Sequence, residues 1–224
     1  MDQRASWRPV KVWDAPVRVF HWAIALLVGV SWICIHESWI ELHFLSGYTI
    51  LALLIFRVAW GVVGSDTARF ARFLGSPAAV LRHLSHFRRR EPDLEVGHNA
   101  AGGWMVLLML LLLLTQAVSG LFANDDVMNE GPLAHVVGKS LSDRLSTLHA
   151  ANFTLVEIAV ILHVLAVLAY AVFKRQDLVR PMLTGRKRLP ATIAPPCLKG
   201  PWTALSVLGV AILAVVLLVN VAGR

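Results

Sequence analysis

Five stretches of the 224-residue chain stay apolar for about as long as a helix needs to cross a bilayer, roughly 20 residues. They run from about Val19 to Ile35, Leu42 to Val63, Ala100 to Ala123, His149 to Phe173 and Trp202 to Val221. Runs this long in hydrocarbon must satisfy every backbone N–H and C=O internally, which a helix does within one segment. The expected fold is an all-α integral membrane protein. Composition agrees, because 16% charged residues are too few to coat a water-soluble globule. The same apolar, low-charge character excludes disorder. Two cysteines, Cys34 and Cys197, are too few for a disulfide scaffold. Pro16 suits the first turn of a helix that begins before the bilayer. No small-residue cleavage site follows the first run before Glu37, so it reads as a retained span.

The net charge of +7 would point to nucleic acid in a soluble protein, so its placement matters. Segments 1–18, 64–99 and 174–200 carry four, six and seven Lys/Arg. Segment 36–41 carries none, and segment 124–148 carries two, Lys139 and Arg144. By the positive-inside rule the N-terminus is cytoplasmic and the fifth span leaves the C-terminus outside. The basic character is topological, and nucleic acid is excluded as a partner. Both outer segments are acidic, through Glu37 and Glu41 in one and Asp125, Asp126, Glu130 and Asp143 in the other. That face suits docking of a soluble partner. Cys34 and Cys197 fall on opposite sides and cannot be bridged.

The histidines carry the chemistry. His36, His83, His86 and His135 fall between spans and read as solvated polar residues. His21, His43, His149 and His163 lie within or at the ends of spans, where an ionisable group is costly and turns inward to a partner. His149 and His163 are 14 residues apart, which brings them back within roughly 40° of one helix face over a rise of about 21 Å. Span one rises from the cytoplasm with His21 near its base, within about two turns of the level of His163. Span two descends from outside with His43 near its top, level with His149. Two facing imidazoles at one depth suit the axial positions of a haem iron, and filling both positions favours electron transfer over oxygen binding. Interhelical hydrogen bonds are the alternative, while two separated levels do not make one tetrahedral zinc site. Gly47, Gly102 and Gly103 either leave room for a planar cofactor or serve close helix packing.

Several motifs then occur in order. Val17-Arg18-Val19-Phe20-His21-Trp22 opens span one, and Leu42-His43-Phe44-Leu45-Ser46-Gly47 opens span two. Phe56-Arg57-Val58-Ala59-Trp60-Gly61 closes span two, and Gly97-His98-Asn99 with Gly102-Gly103-Trp104 leads into span three. Pro181-Met182-Leu183-Thr184-Gly185-Arg186-Lys187 follows span four. From about Val12 to Lys187 the chain resembles the bacterial cytochrome b561 family, which includes the b-type cytochrome subunits of nickel–iron hydrogenases.

The resemblance implies a four-helix dihaem bundle over residues 1–187, with two b-type haems on His21, His43, His149 and His163. Residues 188–224 then form a linker and an extra transmembrane helix, a departure from shorter members. A partner-binding helix, a homodimer contact and a plain anchor are the open roles for it. The implied setting is the bacterial inner membrane, with the C-terminus periplasmic. The implied activity is electron transfer between the quinone pool and a periplasmic c-type cytochrome, dehydrogenase or hydrogenase subunit. That describes an electron-transfer subunit more than a stand-alone oxidoreductase. Superoxide:quinone oxidoreduction, known in some members, and a haem-free scaffold or permease are the alternatives.

Three further residues stand out. Arg57 either binds a propionate of the inner haem or snorkels to the headgroups. His98 either helps form a quinone site, takes a propionate hydrogen bond, or is a plain interfacial residue. Glu157, the one acid inside a span, lies off the ligand face and reads as structural. Trp22, Trp39 and Trp202 read as interface belts.

Overall fold

A computed structural model describes residues 6–86, 89 and 92–222. Strand β1 (Trp7–Lys11) leads into α1 (Ala15–His36) and α2 (Ile40–Val63). A 3-10 turn, Asp66–Ala68, precedes the short helices α3 (Phe70–Phe73) and α4 (Pro77–Ser85), and then α5 (Ala100–Gly120). Helix α6 (Lys139–Ala169) ends in a π turn, Tyr170–Lys174, followed by α7 (Val179–Thr184), β2 (Arg186–Pro190) and α8 (Pro201–Ala222). Each of the five apolar runs is a helix long and apolar enough to span a membrane. The chain is therefore a multi-pass, all-α membrane protein, and among the described residues a single short strand pair, the antiparallel β1–β2, accompanies the helices. Exposed Leu26, Val62, Leu111, Ile161 and Val210 suit lipid, where they would not suit water.

Two helices start a full turn or more before their apolar runs, α1 and α6. α1 starts at Ala15 because Asp14 caps it, accepting the Val17 N–H at 2.8 Å. The second Asp14 oxygen accepts from Trp60 Nε1 at 2.9 Å, so the buried carboxylate serves two elements. α6 gains a polar extension from Lys139 to Leu148. Asn124 holds it, its side chain donating to Ser142 and Asp143 and its N–H donating to Ser146 Oγ at 2.8 Å. Apolar length alone does not register such a turn.

The chain forms two compact units, and α1, α2, α5, α6 and α8 each contribute to both. The first comprises Met1–Val19, Ala59–Leu107 and Ile161–Ala204. Here β1 and β2 pair in the register Trp7 with Pro190 through Lys11 with Arg186. The Gly185 carbonyl accepts from Val12 and Trp13 at 2.8 and 3.2 Å, and Thr67 donates to the Val12 carbonyl at 2.7 Å. Gly185 takes φ +77°, and a Cβ there would meet the Trp13 oxygen at 2.8 Å, so glycine is required. Strands before the first span and after the fourth can pair only with an even number of crossings between them. The linker to α8 is fastened too, through Cys197 N–H to Asp66 (2.9 Å) and Lys199 N–H to Ser65 (3.0 Å).

The second unit comprises Phe20–Val58, Leu108–Val160 and Leu205–Arg224. Its apolar centre joins Leu51 and Ala52 of α2, Leu121 and Val215 of α8, with Tyr48, Phe122 and Val219 packed around them. Helix α8 thus belongs to this core. The α1–α2 connection turns through Ser38, at φ 58°, with Trp39 N–H returning to the Cys34 carbonyl at 2.8 Å.

Candidate haem-binding site

Along α6 the inward stripe runs Ser142, His149, Asn152, Val156, Ala159, His163 and Tyr170, each buried or half-buried. Leu155, Glu157, Ile158 and Leu162 between them are exposed. The 14-residue spacing therefore does place both histidines on one face, and Glu157 off it.

His149 and His43 meet in the second unit. Their ring centres lie 6.3 Å apart with planes at 84°. His43 Nδ1 lies 3.0 Å from the Ser31 carbonyl and 3.1 Å from its hydroxyl. His149 Nδ1 lies 2.9 Å from the Gln116 carbonyl and 3.3 Å from Ser119 Oγ. A carbonyl only accepts, so Nδ1 carries a proton in both rings and Nε2 is the nitrogen left for a metal. This is the tautomer of a metal-bound imidazole, with the second ring nitrogen held by a backbone acceptor. Two imidazoles bound to opposite sides of one metal, at about 2 Å per bond, would set their centres roughly 6 Å apart. The pair fits axial ligation in both spacing and tautomer.

The surroundings suit a large flat group in part. A Cβ on Gly47 would meet nothing within 4 Å, so that glycine does leave room. Gly103 serves packing, since a Cβ there would lie 2.7 Å from the Phe73 carbonyl oxygen. At Gly102 a Cβ would lie 3.3 Å from Asn99 Oδ1, which caps α5 by accepting the Gly102 N–H at 2.8 Å. Gly120 is the glycine the site needs, because a Cβ there would lie 2.8 Å from His149 Cε1. Below it, buried Asn152 donates to Gln116 Oε1 at 2.7 Å and to the Leu112 carbonyl at 3.0 Å, tying α5 to α6. Ser31, Gln116, Ser119 and Asn152 escaped the sequence reading, although they show the same signal as the histidines, polar groups inside apolar runs.

His21 is half-buried with its ring edge to Trp22, centres 4.9 Å apart, and His163 is half-buried on the α6 stripe. Arg57 is 2% exposed, so its side chain is packed inside the protein. In the first unit His98 packs edge-on or tilted against Trp13 (4.6 Å) and Phe73 (4.7 Å). Next to it Asn99 Nδ2 donates to Tyr170 Oη at 3.0 Å, and His83 Nε2 lies 2.5 Å from the same oxygen. His83, expected in a solvated loop, instead belongs to α4 and to this contact.

A multi-pass helical protein with paired imidazoles inside its spans is the architecture of a membrane cytochrome. The chain belongs to the prokaryotic cytochrome b561 family, which it matches over residues 12–185. It is 25% identical over 215 residues to the "Probable Ni/Fe-hydrogenase B-type cytochrome subunit" of Rhizobium leguminosarum bv. viciae, covering 80% of this chain and 88% of that protein. No solved structure gives a significant match. Membership makes this a haem b protein of membrane electron transport.

Proposed function

We propose that the chain carries two haems and passes electrons across the inner membrane between quinone and a periplasmic redox partner. The observation that carries this is the His43–His149 pair, with ring centres 6.3 Å apart and each Nδ1 held by a backbone carbonyl. When bound, haem supplies a one-electron redox centre. The chain's residues hold each imidazole in one tautomer, aim Nε2 and, through Gly120 and Gly47, keep space beside the ligands. By the family's ligand pattern, His21 and His163 are the ligands of the second haem. Buried Arg57 offers a desolvated cation for an inner-haem propionate. His98 lines a quinone headgroup or takes a propionate hydrogen bond.

Residues 1–187 form the cofactor-bearing part and 188–224 the appended linker and helix. Segments 1–18, 64–99 and 174–200 together hold 17 of the 21 Lys/Arg, which supports a cytoplasmic N-terminus and a periplasmic C-terminus. The partner is a hydrogenase subunit, as the name of the Rhizobium relative suggests, with a c-type cytochrome or another dehydrogenase as the other candidates. Its landing surface is the acidic loop after α5, where Asp125 Oδ1 accepts three backbone N–H groups and presents exposed Val127 and Met128. The outward face of α8, including Val210, Leu213 and Leu217, offers the membrane contact for that partner or for a second copy.

Haem counting with reduced-minus-oxidised spectra tests the assignment. The full chain should hold two haems per polypeptide, while His43→Ala and His149→Ala should each hold one and the pair together no fewer. Retention of both haems in either single variant, or a folded but colourless wild-type protein, would overturn it.

A further inference from the structure

In the β1–β2 register Lys11 stands directly opposite Arg186, and Pro9 opposite Arg188. Cross-strand partners share a face, as do residues two apart on a strand. Lys11, Arg186 and Arg188 therefore project from one face, and all three are exposed, while buried Leu189 lies on the other. Like charges directly opposite each other destabilise a strand pair. Arg186 and Arg188, with Arg180 and Lys187, line a recess of about 590 Å³ walled also by Pro9, and Lys11 stands on the strand face beside it. The acid in its wall, Asp177, already accepts the Val179 and Arg180 N–H groups at 3.0 Å each. Among the described residues, Lys11, Arg180, Arg186 and Arg188 have no carboxylate within ion-pair distance. Lys187 differs, since it pairs with Asp93 at 2.5 Å.

The recess lies where α6 leaves its apolar run, and α7 beside it exposes Val179 and Leu183 one turn apart. A soluble polyanion would leave those side chains in water, whereas a lipid places acyl chain against them and phosphate against the arginines. A second recess of about 460 Å³ shares the Asp177, Lys187 and Arg188 wall and adds Trp7, Lys174, Arg175 and Asp93, so its four bases outnumber two acids that are already engaged, Asp93 by Lys187 and Asp177 by backbone N–H groups. Two adjoining basic recesses match two phosphates on one headgroup. We propose that this face binds an anionic phospholipid with a two-phosphate headgroup, a site independent of the haem assignment.

The test uses the purified, haem-loaded full chain after delipidation, titrated with diphosphatidylglycerol, phosphatidylcholine or inorganic phosphate. Native mass spectrometry reads binding and thermal unfolding reads stability. Diphosphatidylglycerol should bind one per chain and raise the Tm, well below the concentrations at which the other two act. The R180Q/R186Q/R188Q variant should lose about a hundredfold in affinity, the worth of three near-surface cations, while Arg144→Gln loses none. Lys11→Glu turns the opposed like charges into an ion pair, so it should raise the lipid-free Tm and weaken lipid binding, which a merely structural role would not produce. Equal binding of phosphatidylcholine, saturation by inorganic phosphate at the same concentration, or unchanged affinity in the triple variant would each overturn the proposal. So would a lower lipid-free Tm in Lys11→Glu.

Discussion

Asp14 shows how much one side chain can hold when it is buried between two elements. Its carboxylate caps α1 and receives the Trp60 indole, whose ring is fully buried. Asp14→Ala loses an N-cap and leaves a buried donor unpaired, together costing roughly 2–4 kcal/mol. Unfolding of the purified protein should show that loss, and Asp14→Asn, which keeps a capping oxygen, should show less. Gly120 acts through space instead. In Gly120→Ala the new methyl and the His149 ring cannot both keep their positions at 2.8 Å. The expected outcome is a changed visible or paramagnetic spectrum for one haem and an unchanged one for the other. A wild-type spectrum for both would show that the ring moves freely and that the glycine is not required.

At the level of elements, α4 and the π turn of α6 meet through His83 and Tyr170. Burial, reinforced by nearby Lys174, pushes the His83 imidazole below its ordinary value of 6.5, against weaker upward pulls from Glu95 and Asp93. The unfolded chain then takes up this proton before the folded chain does. Stability from His83 is therefore full above about 6.5 and is lost as pH falls through the lowered folded value. Tm measured from pH 7.5 downward should drop over that window in the wild type. His83→Gln should flatten the drop, and an unchanged pH profile would remove His83 as its source.

For the whole molecule, the β1–β2 pair requires the N-terminal strand and the segment after the fourth span to share one side of the membrane. Which side is an electrostatic matter, and the free thiols give a probe without mutation. Cys197 is exposed and Cys34 buried. An impermeant maleimide should label Cys197 in inverted membrane vesicles and leave it untouched in intact spheroplasts. The opposite pattern would reverse the orientation. The core also bears on the fifth helix, because Val215 packs with Leu51, Ala52 and Leu121. Deleting α8 would uncover that apolar centre, so its removal is expected to lower the Tm as well as any partner affinity.

Local rules made the spans and the histidine register legible. Hydrocarbon admits an isolated segment only as helix, and a helix has a fixed period, so apolar length and a 14-residue spacing place His149 and His163 without further help. They also bring His43 to the level of His149, where the rings are found 6.3 Å apart. The contacts that finish the site were out of reach of that reasoning. The Ser31 and Gln116 carbonyls, the Gly120 clearance and the Asp14–Trp60 bond join residues whose distance along the chain says nothing about their distance in space. The pairing of β1 with β2 has no periodic signature in two five-residue segments so far apart in the chain. Periodicity is a property of one helix at a time, whereas tautomer, clearance and strand register are properties of two elements in contact, and only packing decides those.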